Sequence, residues 1–509
     1  MNEKPKDLWE YDSKYQKRVT ISTIDSTIEL ENVFERIVYI EDLEKRRQAY
    51  GICGECKEPG TGEYWCQSCN AKRFKDNFKN WTSGNKDIDE FIQQSQLNAV
   101  HYKTCLEWLP FEKFQNVTYI AEGGFGKIYS AEWPEGNIGY WDIENQKWYR
   151  YKFNKYALKS LNNSFNICSD FFNEIKSHLQ IYLTDIVQCF GITQDPNNKE
   201  YMMVLYYCEI GNLRNYLNKS INYINYQSKI DKLQQIARGL LDIHNAEKVH
   251  KDFHSGNILY GSGGYPFISD LGMCQPANIK QLVKKEGIYG VLPYMAPEVL
   301  RGYQYTKAAD IYSFGIIMNE FLSEEIPFND IPHDCFLAIK VCKGLRPTIS
   351  NDVPKLLTDL IVKCWDAEIE KRLTTKELYQ ILTKWNNKIK DIKNSEDSKD
   401  SEDSEDVKDS ENGDNSQNSE IYFQIKECDK IRKEKFKNRP NEDKSKSFQT
   451  HPQAFYTSRL LNFKNLPKPV NSSDLLSFQF SSDANYTAQS TSENPILNEI
   501  CQDSEYNIE

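Results

Sequence analysis

The sequence predicts an α+β fold in two parts, a small β-rich part followed by a larger helical one. A small cysteine module precedes them and a charged tail follows. Three observations carry this expectation. From Phe114 to about Leu205, short β-rich runs succeed one another with one amphipathic helix among them, and from Gly211 to about Trp385 the periodicity turns mostly helical. Four of the 14 Cys fall within residues 53 to 69. After Lys390 the composition collapses into NSEDSKDSEDSEDVKDSENGDNSQNSE, a run that cannot bury a core.

Residues 1–47 are polar, with one amphipathic stretch, IELENVFERIVYIEDLEKRR, that predicts a helix. Residues 48–82 hold CGECKEPGTGEYWCQSC, in which Cys53, Cys56, Cys66 and Cys69 form two Cys-x2-Cys pairs nine residues apart. Each pair makes a tight turn that aims two thiolates at one point, and two such turns close a tetrahedron. So short a module cannot hold itself together by burial alone, whereas structural Zn²⁺ can supply on the order of 10 kcal/mol. Two disulfides or an iron–sulfur site are the competing readings, the first disfavoured by a reducing compartment. Residues 83–113 carry Ile88, Phe91, Ile92, Leu97 and Val100 at helical spacing. They read as a linker helix packed between two units with separate cores, or alternatively as a helix for a partner.

Bulk composition excludes several classes. A net charge of −11 argues against a nucleic-acid binder, which needs a basic face. No run approaches the roughly 18 apolar residues of a membrane span, and the start, MNEKPKDLWEYDSKYQ, lacks a secretory core. The ten remaining Cys are scattered and read as reduced thiols, which places the chain in the cytoplasm, with the nucleus as the alternative.

The chemistry concentrates in residues 114–388. VHKDFHSGNILY sets Asp252 five places before Asn257, an offset suited to a carboxylate that orients a hydroxyl and an amide oxygen that ligates a hard cation such as Mg²⁺. Upstream, IAEGGFGKIYSAEW is a Gly-rich turn between apolar runs, KYALKSL puts Lys159 on an alternating strand, and FFNEIKSHL puts Glu174 on an amphipathic helix. Downstream come Asp270 in PFISDLGM, Glu298 in VLPYMAPEVL, Asp310 in AADIYSFGIIMNE and Arg372 in CWDAEIEKRLT. Glycines such as Gly123, Gly124 and Gly126 let backbone N–H groups approach phosphates.

Taken together, this ordered series resembles the protein-kinase family, closest to its tyrosine-kinase-like group by HSGNIL, LPYMAPE and CWD. The resemblance implies the bilobal protein-kinase fold, with a β-rich N-lobe and a helical C-lobe, and an ATP-dependent transfer to protein hydroxyls of Ser/Thr type. A tyrosine or dual-specificity enzyme and an inactive scaffold are the alternatives. It implies that Lys159 holds ATP phosphates and pairs with Glu174, that Asp252 orients the acceptor hydroxyl, and that Asn257 and Asp270 hold Mg²⁺. It further implies a nucleotide site lined by Ala121, Gly123, Gly124, Phe125, Gly126, Ile128, Ala157, Leu205, Tyr207, Cys208 and Leu259. Asp310 would brace the catalytic loop, and Glu298 would pair with Arg372. The chain departs from the family pattern at Ala121 (usually Gly), Lys251 (Arg), Leu271 (Phe), His254 (Lys) and Val291 (Thr). PEGNIGYWDIENQKWYRYKFNK, longer than the usual turn, predicts an extended hairpin. Residues 389–509 are expected to be a disordered charged tail, with an aromatic island at 451–470 able to dock.

Overall fold

In a computed structural model, residues 7–9, 19–21, 37–123, 126–161, 169–182, 184–220, 223–277, 287–399, 415–437 and 450–471 are described. The chain divides into two compact units, Met1–Cys208 and Glu209–Glu509.

Unit 1 opens with two short parallel strands, β1 (Val19–Ile21) and β2 (Ile37–Tyr39), followed by helix α1 (Leu43–Tyr50). The amphipathic stretch expected to be one helix is thus a strand and then a helix, with its first part outside the described residues. Its β-branched Ile-Val pair favours the strand, and Asp42 starts the helix by accepting a bond from the Lys45 N–H at 2.9 Å. The Arg46 guanidinium is buried and donates to the carbonyls of Ile40, Pro59 and Gly60 at 2.9, 2.6 and 2.9 Å. A domain boundary at residue 47 would cut through α1, so α1 belongs to the cysteine module.

Helices α2 (Gln67–Asn77) and α3 (Lys86–Asn98) complete that module, and its core is not separate. The chain goes on through β3 (Glu107–Trp108), β4 (Gln115–Gly123) and β5 (Gly126–Glu132) to the expected hairpin, β6 (Asn137–Asp142) with β7 (Lys147–Tyr151). Trp65 and Phe74 of the module form one buried cluster with Ala99, Cys105 and Ile138, and Trp148 of β7 packs on it. The Trp148 ring stacks 5.8 Å from Trp65 and 5.0 Å from Phe74, and the Arg73 guanidinium lies 4.3 Å from the Trp141 ring. The expectation of independent cores therefore fails. The long hairpin supplies apolar surface that so small a module cannot make by itself.

With β8 (Tyr156–Leu161), β9 (Cys189–Gln194) and β10 (Tyr201–Tyr206), the main sheet runs β3-β9-β10-β8-β5-β4, and helix α4 (Ser169–Gln180) connects β8 to β9. The sheet thus begins at Glu107, upstream of the expected boundary at 114. β3 lies so close to β9 that a Cβ on Gly191 would come within 2.1 Å of the Glu107 carbonyl oxygen. The Glu107 side chain then ties β3 to the hairpin, accepting from the Ile138 N–H at 2.9 Å and pairing with Arg150 at 2.6 Å.

Unit 2 begins with β11 (Gly211–Asn212), α5 (Leu213–Lys219) and the long helix α6 (Tyr226–Asn245). Short strands β12 (Lys248–Val249), β13 (Ile258–Tyr260), β14 (Pro266–Ile268), β15 (Gln275–Pro276) and β16 (Ile288–Gly290) carry the loops. Helices α7 (Pro297–Leu300), α8 (Lys307–Ser323), α9 (Cys335–Cys342), α10 (Lys355–Cys364) and α11 (Thr375–Lys399) follow. Helix α8 is buried along its length, and α6 buries one broad face. The scattered thiols of Cys105, Cys189, Cys208, Cys342 and Cys364 are free and buried, as core residues; Cys335 is disulfide-bonded.

The tail boundary also needs correction. Helix α12 (Asn415–Lys437) packs on unit 2, and the island 450–471 lies against it with strand β17 (Arg459–Leu461). In α12 the buried Ile421, Ile425 and Arg432 recur at helical spacing and give it a face to bury.

Candidate active site

In unit 1, the candidate residues sit on the central strands and on α4. Lys159 of β8 donates to Glu174 of α4 at 2.7 Å, and both side chains are almost fully buried. β8 is the interior strand between β5 and β10, which pairs Lys159 with Ile128 on one side and with Met203 on the other. The alternation that puts Leu158 in the core aims Lys159 off the opposite face. Ile128 and Ala157 are half-buried, whereas Leu205 and Cys208 are buried and Tyr207 is intermediate. Burial pushes the Cys208 thiol up to about 12, so it is a neutral, inert thiol. β4 and β5 form the hairpin on either side of the Gly-rich turn, with Ala121 opposite Ile128 and Gly123 opposite Gly126. A Cβ on Gly123 would meet nothing within 4 Å among the described residues, so none of them demands glycine there. Gly124 and Phe125 lie outside the described residues.

In unit 2, the loop after β12 carries the carboxylates. Asp310, near the start of α8, accepts from the backbone N–H of His250 at 2.8 Å and of Lys251 at 3.1 Å, and its carboxylate lies 2.9 Å from His244 Nε2. A buried carboxylate so used holds the loop open to one geometry. Lys251 (φ +69°) and Asp270 (φ +58°) both take left-handed backbone conformations, which cost about 1–3 kcal/mol each and persist only where surroundings impose them. Between them, Asn257 donates its amide to the Asp252 carbonyl at 2.9 Å, which leaves its amide oxygen to offer a cation. Asp252 is buried, and its Oδ1 has no hydrogen-bond partner. His254 Nδ1 accepts from the Gly256 N–H at 3.1 Å, so the proton sits on Nε2, 3.6 Å from Asp252 Oδ2. Leu259 on β13 is half-buried between buried neighbours.

The segment beyond Asp270 is pinned at both ends. β15 pairs with β12, and Lys251 donates to Gln275 at 2.8 Å. At the far end, Arg372 grips Glu298 with two bonds of 2.7 and 2.8 Å, as expected of the pair. Residues not anticipated from sequence join these parts. Tyr294 donates to Glu320 at 2.6 Å, Arg214 reaches both, and Ser255 lies 2.9 Å from the Tyr294 hydroxyl. Their only signal was an Arg and a Glu in otherwise amphipathic or apolar helices.

The four expected cysteines converge: their sulfurs all lie within 4.8 Å of one another, with Cys53–Cys69 at 3.8 Å and Cys56–Cys66 at 3.6 Å. A tetrahedral site with Zn–S near 2.3 Å has S···S edges of about 3.8 Å. The donor set and its spacing fit such a metal.

A β-sheet unit with a buried Lys–Glu pair and a helical unit with a braced carboxylate loop define a protein-kinase domain. Residues 114–382 match the model of the protein tyrosine and serine/threonine kinase family, more than half of the chain, and the chain belongs to that family. It is 30% identical over 280 residues to the serine/threonine-protein kinase VIK of Arabidopsis thaliana, covering 53% of this chain and 60% of that one. It is 28% identical over 304 residues to the probable serine/threonine-protein kinase roco6 of Dictyostelium discoideum, covering 54% of this chain and 13% of that one. The serine/threonine/tyrosine-protein kinase HT1 of Arabidopsis thaliana is 27% identical over 224 residues, covering 43% of this chain and 56% of that one. The chain thus spans less than two thirds of each of these relatives.

Proposed function

We propose that this chain is an ATP-dependent protein kinase that transfers the γ-phosphoryl group to serine or threonine hydroxyls. The observation that carries this reading is Asp252: a buried carboxylate oxygen without a partner, in a loop braced by Asp310, costs free energy unless an absent group completes it. An acceptor hydroxyl is that group. Asp252 orients the hydroxyl and takes up its proton as the acceptor oxygen attacks. Lys159, fixed by Glu174, holds phosphate oxygens, while the strand residues Ala121, Ile128, Ala157 and Leu205 of unit 1 are suited to an apolar base. Asn257 and Asp270 are the oxygen donors for Mg²⁺, which when bound neutralises phosphate charge. The preference for Ser/Thr rests on the family and on the names its relatives carry.

The test is transfer of radiolabelled phosphate from ATP to a protein acceptor, with phosphoamino-acid analysis. Lys159→Ala, Asp252→Asn and Asp270→Asn each abolish transfer while far-UV circular dichroism is unchanged, and Asp270→Asn also weakens Mg²⁺-dependent nucleotide binding. Near wild-type transfer by Asp270→Asn would overturn the mechanism. In the same reading, the cysteine cluster holds one structural Zn²⁺, with residues 43–105 as its module.

A further inference from the structure

The exposed edge of β16 is occupied by the chain's own tail. β17 pairs antiparallel with it, in the register Ile288–Leu461, Tyr289–Leu460 and Gly290–Arg459. The approach is close enough that Gly287, at φ +93°, could carry no side chain without meeting the Leu461 carbonyl oxygen at 2.7 Å. Upstream of the strand the segment is anchored by side chains. The Tyr456 ring lies 3.9 Å from the Arg214 guanidinium, and its hydroxyl donates to the Pro327 carbonyl at 2.8 Å. The His333 N–H donates to Gln453 at 2.9 Å, its Nδ1 lies 2.9 Å from the Phe455 carbonyl, and Arg459 donates to the His333 carbonyl at 2.6 Å.

The edge of β16 is wired to the candidate catalytic loop. It leads directly into the turn of Tyr294, whose hydroxyl touches Ser255, three residues beyond Asp252. A peptide added to this edge by strand pairing therefore follows the element that is coupled to Asp252. Main-chain bonds give such a peptide affinity without regard to its sequence, and the flanking Arg214 and His333 sites choose among side chains. Hydroxyl residues Thr457 and Ser458 immediately precede the paired strand, and the buried Ser458 Oγ has no hydrogen-bond partner.

We propose that the β16 edge, with the Arg214 and His333 sites, is the surface on which this kinase takes an extended substrate peptide, and that residues 451–461 occupy it in cis and compete with substrate. The proposal rests on the kinase reading above. The tethering makes the competition effective. Helix α12 is fixed to unit 2 by a buried Arg432–Asp352 pair at 3.2 Å and an Asp429 contact to Tyr223 at 2.7 Å. Only residues 438–449 separate α12 from the docked segment. Because the segment belongs to the same chain as its site, it meets that site by an intramolecular event, whose effective concentration over so short a link is on the order of millimolar. A weak strand contact is then filled for most of the time against micromolar substrate.

The experiment compares the full chain with the full-chain double variant Tyr456→Ala/Leu461→Asp, using casein and ATP. The variant lowers KM for casein by roughly fivefold and leaves KM for ATP unchanged. A synthetic peptide of residues 450–471, added to the double variant, restores inhibition competitively with casein and not with ATP. Unchanged or reduced transfer by the variant, or a peptide that does not compete with casein, overturns the competition while leaving the kinase reading intact. No transfer by either chain to any acceptor removes the kinase reading, and this proposal with it.

Discussion

Lys251 stands where the family's catalytic triplet has Arg, and its surroundings show what replaces the missing fork. In many kinases that Arg grips a phosphorylated residue of the following segment, and its planar geometry suits phosphate. Here the ammonium donates to Gln275 and lies 5.5 Å from the Tyr305 ring, and the Tyr305 hydroxyl donates to the Tyr289 carbonyl at 2.8 Å. Burial pulls the Lys251 pKa down, with Asp310 acting in the opposite direction. A neutral amide therefore takes the anchoring place of a phosphate. The stretch from Leu271 through Val291 has no Ser or Thr, and its single hydroxyl, on Tyr289, is 43% exposed. Treatment with a serine/threonine phosphatase is expected to leave activity unchanged, and Tyr289→Phe to lower it by about twofold at most. Gln275→Ala removes a charge-assisted bond worth about 1.5 kcal/mol and lowers kcat/KM by about tenfold. A large loss of activity on removing one phosphate from Tyr289 would contradict this account.

At the scale of elements, the cysteine module, the long hairpin and α4 act as a continuous stack. Trp148 of the hairpin covers Trp65 and Phe74, and Phe91 of α3 lies 4.8 Å from Phe172 of α4, the helix that carries Glu174. Removing the metal should therefore loosen α3 against α4 and disturb the Lys159–Glu174 pair. Chelation under reducing conditions is expected to release one zinc per chain, to lower the thermal transition of unit 1 and to reduce transfer activity together. Trp148→Ala, which strips a half-buried ring from Trp65 and Phe74 at a cost of about 2 kcal/mol, should reproduce the thermal effect with the metal still bound. Metal analysis and calorimetry separate the two cases; an unchanged unit 1 transition in metal-free protein would refute the coupling. Much of this element-level order was legible. The hairpin, the linker helix and the four ligands all follow from local pattern. That Ile37–Tyr39 is a strand, and that β3 joins the sheet through Gly191, was not legible, because partners distant in sequence decide both. For the same reason the shared core was misread as two separate ones: the hairpin's length was visible, but not what its tryptophans cover.

Across the whole molecule, motif order identified the kinase domain, since its chemistry needs particular residue types at particular offsets. The tail was less legible, because its composition up to residue 420 masks a helix whose buried face begins at Ile421. That helix closes a charge network in unit 2. Arg432 donates to the Ser323 carbonyl at 2.8 Å and the Tyr226 hydroxyl at 3.0 Å, and it pairs with Asp352. Nearby, the fully buried Lys229 pairs with Glu324 at 2.8 Å. Burial lowers the Lys229 pKa to about 8, with the Arg432 charge adding to the fall and Glu324 opposing it. Between pH 8 and the unfolded lysine value of about 10.4, the unfolded state binds more protons at this site than the folded one. Stability of unit 2 from this group therefore rises with pH through that window, opposite to a lysine strengthened by its partner. Arg432→Met removes the charge that helps to depress Lys229, so its pKa climbs back and the window narrows. The variant should be less stable at pH 7, because Asp352 loses a buried partner at a cost of about 3 kcal/mol. It should also gain less stability than wild type between pH 7.5 and 9.5. Pulse proteolysis in urea at the two pH values, following peptides of α6 and α8, measures both effects. An equal or steeper rise in the variant would show that Arg432 does not set the Lys229 titration.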